Sequence, residues 1–432
     1  MRSAPRISFP TLAAGLALCF RVSAGLAAPP APTLAEAETL YVRGDFPAAE
    51  RAFAALHPAR GDTVVALRRA SLELLRNDMA AARATLAPLL ALAHPPRSAK
   101  VIAAESYARE LDYAHAAPLE RALGREAVAR QMESFGKAAP FRYEGPDRAL
   151  IPFVQTDPLP VIEVRLDGHG PYFFLIDTGG SDLLVDPVLA DSLACPRFGE
   201  EEGTFGGGRK RAVAKSRVGT VALGPAIFHD VPASLLDCSK FSAVAGGRRI
   251  SGIVGTLLLM RARATLDYPN DALVLERSRV PAAKMAPDSQ RHVLPMWLGG
   301  DHYVLAHGRL NDGVEGLWFV DTGLAGASLT APANTLRDAS IELPDTSGGE
   351  TGVGGGGSMK VQMFGVRRFQ LGGASSNGLI GIYGAFPPAL EHAFGYRIAG
   401  IISHAFLRSW SVTFDFRTMQ LILEPPSKNA AG

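Results

Sequence analysis

The second part of this 432-residue chain contains an internal duplication, and this duplication restricts the possible folds more than any other feature. Several short segments recur in the same order 148 residues later. The matching pairs are 206–208 with 354–356, 223–224 with 371–372, 252–255 with 400–403, 265–268 with 413–416, and 273–276 with 421–424. A register kept over about 70 residues does not arise by chance. It predicts two diverged halves of one fold.

The same part of the chain has the local pattern of β-structure. Short runs of apolar, β-branched and aromatic residues alternate with Gly, Pro and Asp, as is typical of strands and turns. The totals of 45 Gly and 31 Pro also favour many turns over an all-helical chain. We therefore expect both halves to be all-β.

Each half contains the same tripeptide after an apolar run. Residues 172–176 lead into Asp177-Thr178-Gly179, and residues 317–320 lead into Asp321-Thr322-Gly323. A buried strand would deliver each aspartate to the centre of the molecule, where Gly permits a tight turn and a close backbone approach. Each Thr hydroxyl can bond to the matching loop. A pseudo-two-fold axis would then bring the two carboxylates together.

These motifs resemble the aspartic proteases over roughly residues 158–425. The resemblance rests on three elements in each half: the Asp-Thr-Gly tripeptide, a glycine-rich hairpin and an apolar-apolar-Gly segment. Two glycine-rich hairpins are more similar to the retroviral-type, or retropepsin-like, group than to the pepsins, which typically keep one flap. The resemblance implies a bilobal all-β fold, with one half at 158–282 and the other at 283–427.

The resemblance also implies the site. Asp177 and Asp321 would be the catalytic pair that holds a water molecule, without a cofactor or metal ion, and the substrate would be a peptide or protein. Two adjacent carboxyl groups share a proton, so one can act as general base and the other as general acid. The implied supporting residues are Thr178, Gly179, Ser181, Thr322, Gly323 and Ser328. The implied flap residues, which would close over substrate, are Gly206, Gly207, Gly208, Gly354, Gly355 and Gly356.

The second half departs from the family pattern at two positions. Ser403 stands where the first half has Gly255. The second half also has about four extra residues between its Asp and its glycine run, some of which fit just after Gly323, within 324–327. Both changes predict a looser or shifted loop around Asp321. Two interpretations therefore stand side by side: an active aspartic endopeptidase, or a catalytically degenerate protease-like protein that binds peptides or serves as a cell-envelope scaffold.

Residues 33–135 have the 3.6-residue periodicity of α-helices and a repeat of their own. Asp45, Asp78 and Asp112 lie 33 and 34 residues apart in similar surroundings. This period resembles tetratricopeptide repeats, which implies a helical repeat domain that could dock a protein partner; a plain helical prodomain or cap fits equally well. The proline-rich stretch 136–157 is interpreted as a linker. The expected fold class is therefore multidomain α+β.

The N-terminus predicts an exported protein. Arg2 and Arg6 precede the short apolar run 11–20, and small residues follow, so residues 1–28 are interpreted as a secretory signal peptide. The expected location is periplasmic or secreted, where a disulfide between Cys195 and Cys238 is possible. No later apolar run is long enough to span a membrane.

Charge and spacing argue against other classes of function. The chain has 44 Lys and Arg against 42 Asp and Glu, which excludes a strongly basic nucleic-acid-binding protein. Residues 352–357 satisfy G-x-G-x-x-G, but their flanks are typical of a hairpin and not of a nucleotide site. The basic cluster that ends at Lys215 is interpreted as a solvated hairpin.

Overall fold

A computed structural model describes residues 31–56, 62–205, 209–277, 290–354, 357–387 and 390–426. Helices occupy the first part of these ranges and strands most of the rest, which is the expected α+β fold class. The interpreted signal peptide, residues 1–28, lies outside the described residues. So do five of the implied flap glycines, Gly206, Gly207, Gly208, Gly355 and Gly356.

The helical unit has seven helices within the described ranges 31–56 and 62–135. They are α1 (Leu34–Val42), α2 (Phe46–Ala55), α3 (Thr63–Leu75), α4 (Met79–Leu90), α5 (Arg97–Arg109), α6 (Tyr113–Ala122) and α7 (Glu126–Glu133). The three repeated aspartates begin α2, α4 and α6, and each side chain accepts a bond from the backbone N–H three residues later. Such caps satisfy otherwise unpaired N–H groups. A residue with positive φ precedes each cap: Gly44, Asn77 and Leu111.

The period of 33 to 34 residues thus corresponds to a repeated turn between paired helices. The closer similarity to tetratricopeptide repeats remains a prediction.

The first half comprises β1–β11 with two short helices. Its elements are β1 (Arg142–Glu144), β2 (Arg148–Gln155), β3 (Val161–Leu166), β4 (His169–Ile176), β5 (Leu183–Val185), α8 (Pro187–Ser192), β6 (Arg197–Phe205), β7 (Arg209–Leu223), β8 (Ala226–Leu235), β9 (Ile250–Val254), α9 (Thr256–Leu259), β10 (Arg263–Asp267) and β11 (Ala272–Glu276).

The second half comprises β12–β22 with three short helices. Its elements are β12 (His292–Pro295), β13 (Trp297–Gly299), β14 (Tyr303–Leu310), β15 (Gly316–Asp321), β16 (Leu329–Thr330), α10 (Ala333–Asp338), β17 (Glu350–Gly354), β18 (Gly357–Leu371), β19 (Ala374–Tyr383), α11 (Leu390–Phe394), β20 (Gly400–Ser403), α12 (His404–Leu407), β21 (Ser411–Asp415) and β22 (Gln420–Glu424).

Both halves have the same topology around their central strands. In the first, β4 runs parallel to β9, and β5 lies between β9 and β8. In the second, β15 runs parallel to β20, and β16 lies between β20 and β19. The duplicated segments 252–255 and 400–403 therefore fall on equivalent strands.

One continuous run of strands joins the two halves, in the order β12-β22-β21-β10-β11-β2. At its centre Thr265 of β10 lies opposite Thr413 of β21, and their hydroxyl oxygens are 2.8 Å apart. These residues are duplicates of each other, 148 positions apart. A residue that pairs with its own duplicate lies on the pseudo-two-fold axis, so this axis passes between β10 and β21.

The interpretation of residues 136–157 as a linker is wrong, because β1 and β2 lie within this stretch. Strand β2 pairs with both β11 and β3, and it alternates buried Ala149, Ile151 and Phe153 with exposed neighbours. The prolines concealed this pattern in the sequence. Pro152 occupies one of the exposed positions, where a proline is compatible with the alternation.

The helical unit packs closely against the second half. Phe46 lies edge-on to Trp297 and Tyr396, with ring centroids 5.5 and 5.0 Å apart. This contact belongs to a buried cluster that includes Phe319 and Ile401. The corresponding residues of the first half, Leu175 and Ile253, are covered instead by that half's own residues around 238–245. Helices α1–α3 thus take the place of a local covering segment.

Among the described residues, no helix has the length and apolarity needed to cross a bilayer.

The shared cluster predicts that the helical unit and the β region unfold together. Phe46 is fully buried, so Phe46→Ala should lower the free energy of unfolding by about 3–5 kcal/mol in one denaturant-induced transition. Leu92 belongs to the same unit but is 50% exposed, so Leu92→Ala should change it by no more than about 0.5 kcal/mol. Two separate transitions in the Phe46 variant would contradict this coupling.

Candidate active site

The central strands deliver the two aspartates to the interface between the halves. Strand β4 ends at Ile176, and the N–H of Asp177 donates to the carbonyl of Val254 on β9 at 3.1 Å. Strand β15 ends at Asp321, which lies opposite Ser403 on β20. The preceding side chains on both strands are almost entirely buried, so apolar packing sets the position of each carboxylate.

Thr178 and Thr322 form a reciprocal network between the halves. The N–H of Thr178 donates to Thr322 Oγ1 at 3.0 Å, and the N–H of Thr322 donates to Thr178 Oγ1 at 3.1 Å. In turn, the Thr178 hydroxyl donates to Val320 O at 2.9 Å, and the Thr322 hydroxyl donates to Ile176 O at 3.1 Å. Both threonines are fully buried, and each hydroxyl both donates and accepts. This is the interlocking arrangement that the sequence implied.

Gly179 and Gly323 allow the catalytic loops to touch. Each glycine N–H donates to the carboxylate of its own loop at 2.7 Å, to Asp177 Oδ1 and Asp321 Oδ1 respectively. Each glycine also faces the opposite aspartate. A Cβ on Gly179 would lie 2.6 Å from Asp321 Oδ1, and a Cβ on Gly323 would lie 2.1 Å from Asp177 Cγ. No other residue type fits at either position.

The electrostatics of the pair are unequal. Burial raises the pKa of Asp177, while the N–H of Gly179, a hydrogen bond with Asp321 and the charge of His302 act in the opposite direction. Burial and the neighbouring charge of Asp177 hold the pKa of Asp321 well above its usual range. Two carboxylates at contact cannot both ionise cheaply. Both carboxyl groups therefore have raised pKa values.

Comparison with protein families agrees with this geometry. Residues 162–257, which include Asp177 and the supporting strand β9, match the family model described as "Aspartyl protease". This segment is similar to aspartyl proteases. No curated protein matches the sequence.

Two solved structures of aspartic proteases match this chain over nearly all of their own length. A retropepsin-like aspartic protease from Rickettsia conorii is 18% identical and covers 32% of this chain and 95% of its own, with a TM-score of 0.23. An aspartic proteinase from Irpex lacteus is 13% identical and covers 66% of this chain and 100% of its own, with a TM-score of 0.38.

Ser403 does not loosen the second catalytic loop, contrary to the expectation from its departure from the protease pattern. Its buried hydroxyl lies 2.6 Å from the carbonyl oxygen of Asp321 and 2.9 Å from that of Leu324, so it ties the loop at both positions. In the first half, Gly255 lies directly beneath the loop, where a Cβ would come within 2.4 Å of Asp182 O.

The insertion after Gly323 packs against the second hairpin. Ala327 is buried and Leu324 lies beside it, in a small apolar cluster with Val361 of β18 and Ile382 of β19. The extra residues therefore connect the catalytic loop with the hairpin β17–β18.

The two predicted supporting serines form hydrogen bonds with the backbone of neighbouring elements, and not with the catalytic carboxyl groups. The carbonyl of Ser181 accepts from Leu257 N at 2.9 Å, and Ser328 N donates to Ile380 O at 2.8 Å. Within the described ranges, no hydrogen bond joins either serine hydroxyl to Asp177 or Asp321. The structure therefore gives no hydrogen bond that would support their predicted role as outer partners of the carboxyl groups.

The implied flaps are both hairpins. In the first hairpin, β6 pairs with β7, and the last pair is Phe205 opposite Arg209. In the second hairpin, β17 pairs with β18, and the last pair is Gly354 opposite Gly357. Gly354 is the one implied flap glycine among the described residues, and it lies at the end of β17.

Lys215 is a site-supporting residue that the sequence analysis missed. It was assigned to a solvated hairpin, but its Nζ lies 2.7 Å from Asp182 Oδ2 and 3.0 Å from Ser234 Oγ, largely shielded from solvent. Asp182 ends the stretch that begins at Asp177, so this ion pair anchors the first catalytic loop. The two partners are 33 residues apart, and no spacing rule connects them.

The structure offers no metal site and no disulfide in the part of the chain that it describes. No group of three or more His, Cys, Asp or Glu side chains there is arranged to hold a metal ion. Cys195 and Cys238 are both free thiols, which answers the question that their spacing left open.

His404 is a second residue that the sequence analysis missed. It follows Ser403, and it occupies the place of Thr256 in the first half. Its side chain is buried against the ring of Tyr268, with centroids 5.3 Å apart, and its Nε2 is 3.5 Å from Asp157 Oδ1. Burial lowers the pKa of His404 to about 4, against 6.5 for an ordinary histidine.

This shift predicts a specific loss of stability in acid. Between pH 6.5 and about 4 the unfolded chain binds a proton at His404 that the folded protein does not, so stability falls as the pH falls. The difference amounts to about 3 kcal/mol. On going from pH 7 to pH 4, the free energy of unfolding of the wild type should therefore fall by about 3 kcal/mol more than that of His404→Gln.

The control is the exposed His392, because His392→Gln should leave the pH dependence of unfolding unchanged. Parallel curves for the wild type and the His404 variant would show that His404 is protonated in the folded protein.

Proposed function

We propose that this protein is an aspartic endopeptidase that hydrolyses peptide bonds with a water molecule activated between Asp177 and Asp321. The observation that carries the proposal is the reciprocal bonding of Thr178 and Thr322, which holds one aspartate from each half at the contact of the two loops. The family match of residues 162–257 supports the same chemistry.

We assign the roles of the two carboxyl groups in the reaction from their unequal electrostatic surroundings. Ionised Asp177 takes a proton from water as the water oxygen attacks the peptide carbonyl carbon. Protonated Asp321 donates its proton to the carbonyl oxygen, which gives a tetrahedral diol. When the C–N bond breaks, the nitrogen takes a proton from the pair and one diol hydroxyl returns its proton. The carboxyl groups thus return to their starting state, and no covalent enzyme intermediate forms.

The alternative of a catalytically degenerate peptide-binding or scaffold protein is less well supported. Both carboxylates are present, both glycines that permit their approach are present, and Ser403 ties the second loop. The structural reasons for suspecting a degenerate site are therefore absent from the catalytic loops themselves.

We further propose that the protein is exported to the periplasm or secreted, with residues 1–28 as the signal peptide. The support is the apolar run 11–20 between Arg6 and the small residues up to Ala28. A protein partner at the helical unit is also a proposal, and its support is the repeat pattern alone. Part of that unit is already committed to the contact with the second half.

The test of the activity is cleavage of a diverse denatured-peptide library by the purified protein from acidic to neutral pH. Asp177→Asn and Asp321→Asn should each reduce cleavage by ~10²–10⁴-fold, because each removes a proton-transfer group. Asp191→Asn is a matched control, since Asp191 is an exposed aspartate of the first half. Circular dichroism should show the same fold in all four proteins.

The rate of peptide cleavage by the wild type should have an optimum at acidic pH and fall on both sides of it, because one carboxyl group must be ionised and the other protonated. Loss of activity in only one of the two variants would show that one half works alone. Peptide binding by the wild type without cleavage at any pH would replace the proposal with the peptide-binding alternative.

A further inference from the structure

Arg109, the last residue of α5, contacts both halves of the protease at once. Its guanidinium donates to Leu298 O of the second half at 3.0 Å and also to Gly300 O. Its backbone carbonyl accepts from Arg261 Nη1 of the first half at 3.3 Å. Arg109 is only 5% exposed, so these contacts are made in the interior of the molecule. A single residue of the helical unit thus bridges the two halves.

On the first-half side, the contacts continue to the loop of Asp177. Arg261 Nε donates to the carbonyl of Leu257 at 2.9 Å, and the N–H of Leu257 donates to the carbonyl of Ser181 at 2.9 Å. Ser181 lies four residues after Asp177 in the same loop. Arg261 is itself held over the ring of Phe141, with its Cζ 5.0 Å from the ring centroid.

On the second-half side, Arg109 holds the turn between β13 and β14, which contains Asp301 and His302. The ring of His302 packs on that of Tyr303 at 3.8 Å and lies 6.4 Å from the ring of Phe319, two residues before Asp321. The turn is therefore attached to the strand that carries the second aspartate.

The charged groups around this turn belong to several elements. His302 Nδ1 lies 2.6 Å from Asp301 Oδ1, and Lys215 of β7 interacts electrostatically with Asp301. The charge of His302 acts on Asp177 and lowers the pKa of that carboxyl group. Tyr303 interacts electrostatically with Asp301 and Asp321. The position of the turn therefore affects the catalytic pair.

We propose that Arg109 is a positioning residue of the active site, which holds the Gly300–His302 turn of the second half against the catalytic loop of the first. The helical unit is then a part of the catalytic structure, not an accessory domain. This inference rests on the proposed peptidase activity for its kinetic consequences, but its structural part does not.

The chemistry of arginine suits this position. The planar guanidinium presents five donors in a fork, and here it reaches Leu74 O at 2.7 Å, Leu298 O and Gly300 O, with Glu105 as its charge partner. A lysine has a single nitrogen at the end of a flexible chain, so it cannot donate hydrogen bonds at the same time to carbonyl groups that lie on separate elements.

The test compares Arg109→Lys with Arg83→Lys. Arg83 is the matched control because its contacts, Glu110, Ser106 O and the ring of Tyr107, all lie within the helical unit. Arg109→Lys should lower kcat by about 10- to 100-fold, as expected for a catalytic group that is displaced by a fraction of an ångström to an ångström. Arg83→Lys should stay within about twofold of the wild type.

The pH profile separates positioning from a general loss of stability. If Arg109 keeps His302 close to Asp177, then Arg109→Lys and His302→Gln should each move the acidic limb of kcat/KM to higher pH. The double variant should show no additional shift, because both changes remove the same interaction. Additive shifts, or an acidic limb unchanged in Arg109→Lys, would overturn the proposal.

Hydrogen exchange tests the structural part without any activity. In Arg109→Lys, amides in 297–303 and in 177–182 should exchange faster than in the wild type and in Arg83→Lys. Equal exchange in all three proteins would overturn the positioning role, whereas a wild type that cleaves no peptide would overturn only the proposed function. If Arg109→Lys does not fold, Arg261→Lys replaces it, and the same segments should exchange faster or the proposal fails.

Discussion

The reciprocal hydrogen bonds of Thr178 and Thr322 are the constraint on which the rest of the structure depends. Each hydroxyl accepts from the N–H of the other threonine and donates to the backbone of the opposite half. Since both side chains are fully buried, an unmatched partner would leave a polar group without a bond in the interior, which is costly. The arrangement is complete only when two copies of the loop meet around a two-fold axis. This requirement explains why the chain keeps two similar halves.

The sequence was sufficient to predict those parts of the site that occur in both halves. Asp177 and Asp321 follow apolar strands at equivalent positions, and Thr265 pairs across the axis with its own duplicate, Thr413. A duplicated register is visible in one sequence because it needs no knowledge of distant contacts. The regular spacing of Asp45, Asp78 and Asp112 indicated a helical repeat for the same reason, since each aspartate caps a helix and a cap is a local feature.

The residues that the sequence analysis missed depend on partners far along the chain. Lys215 is one of several basic residues in its strand, and only the fold brings it to Asp182. Ser403 looked like a defect because the glycine it replaces has no hydroxyl, yet that hydroxyl bonds to the loop of Asp321. Pro152 concealed a strand because proline usually breaks one. In each case the deciding contact is tertiary, so local propensity gave the wrong answer.

A pair of carboxyl groups that shares one proton has one member ionised and the other protonated. In this chain the surroundings of the two members also differ. The asymmetry comes from what surrounds the two loops. The first loop is supported by Gly255 and Thr256, and the second by Ser403, beside which His404 is buried. The charge of His302 acts on Asp177. Helices α1–α3 pack on the outer face of the second half, whereas α7 contacts strands of the first half. The differences that have accumulated between the two halves, and their different contacts with the helical unit, therefore place the two carboxyl groups in unequal surroundings.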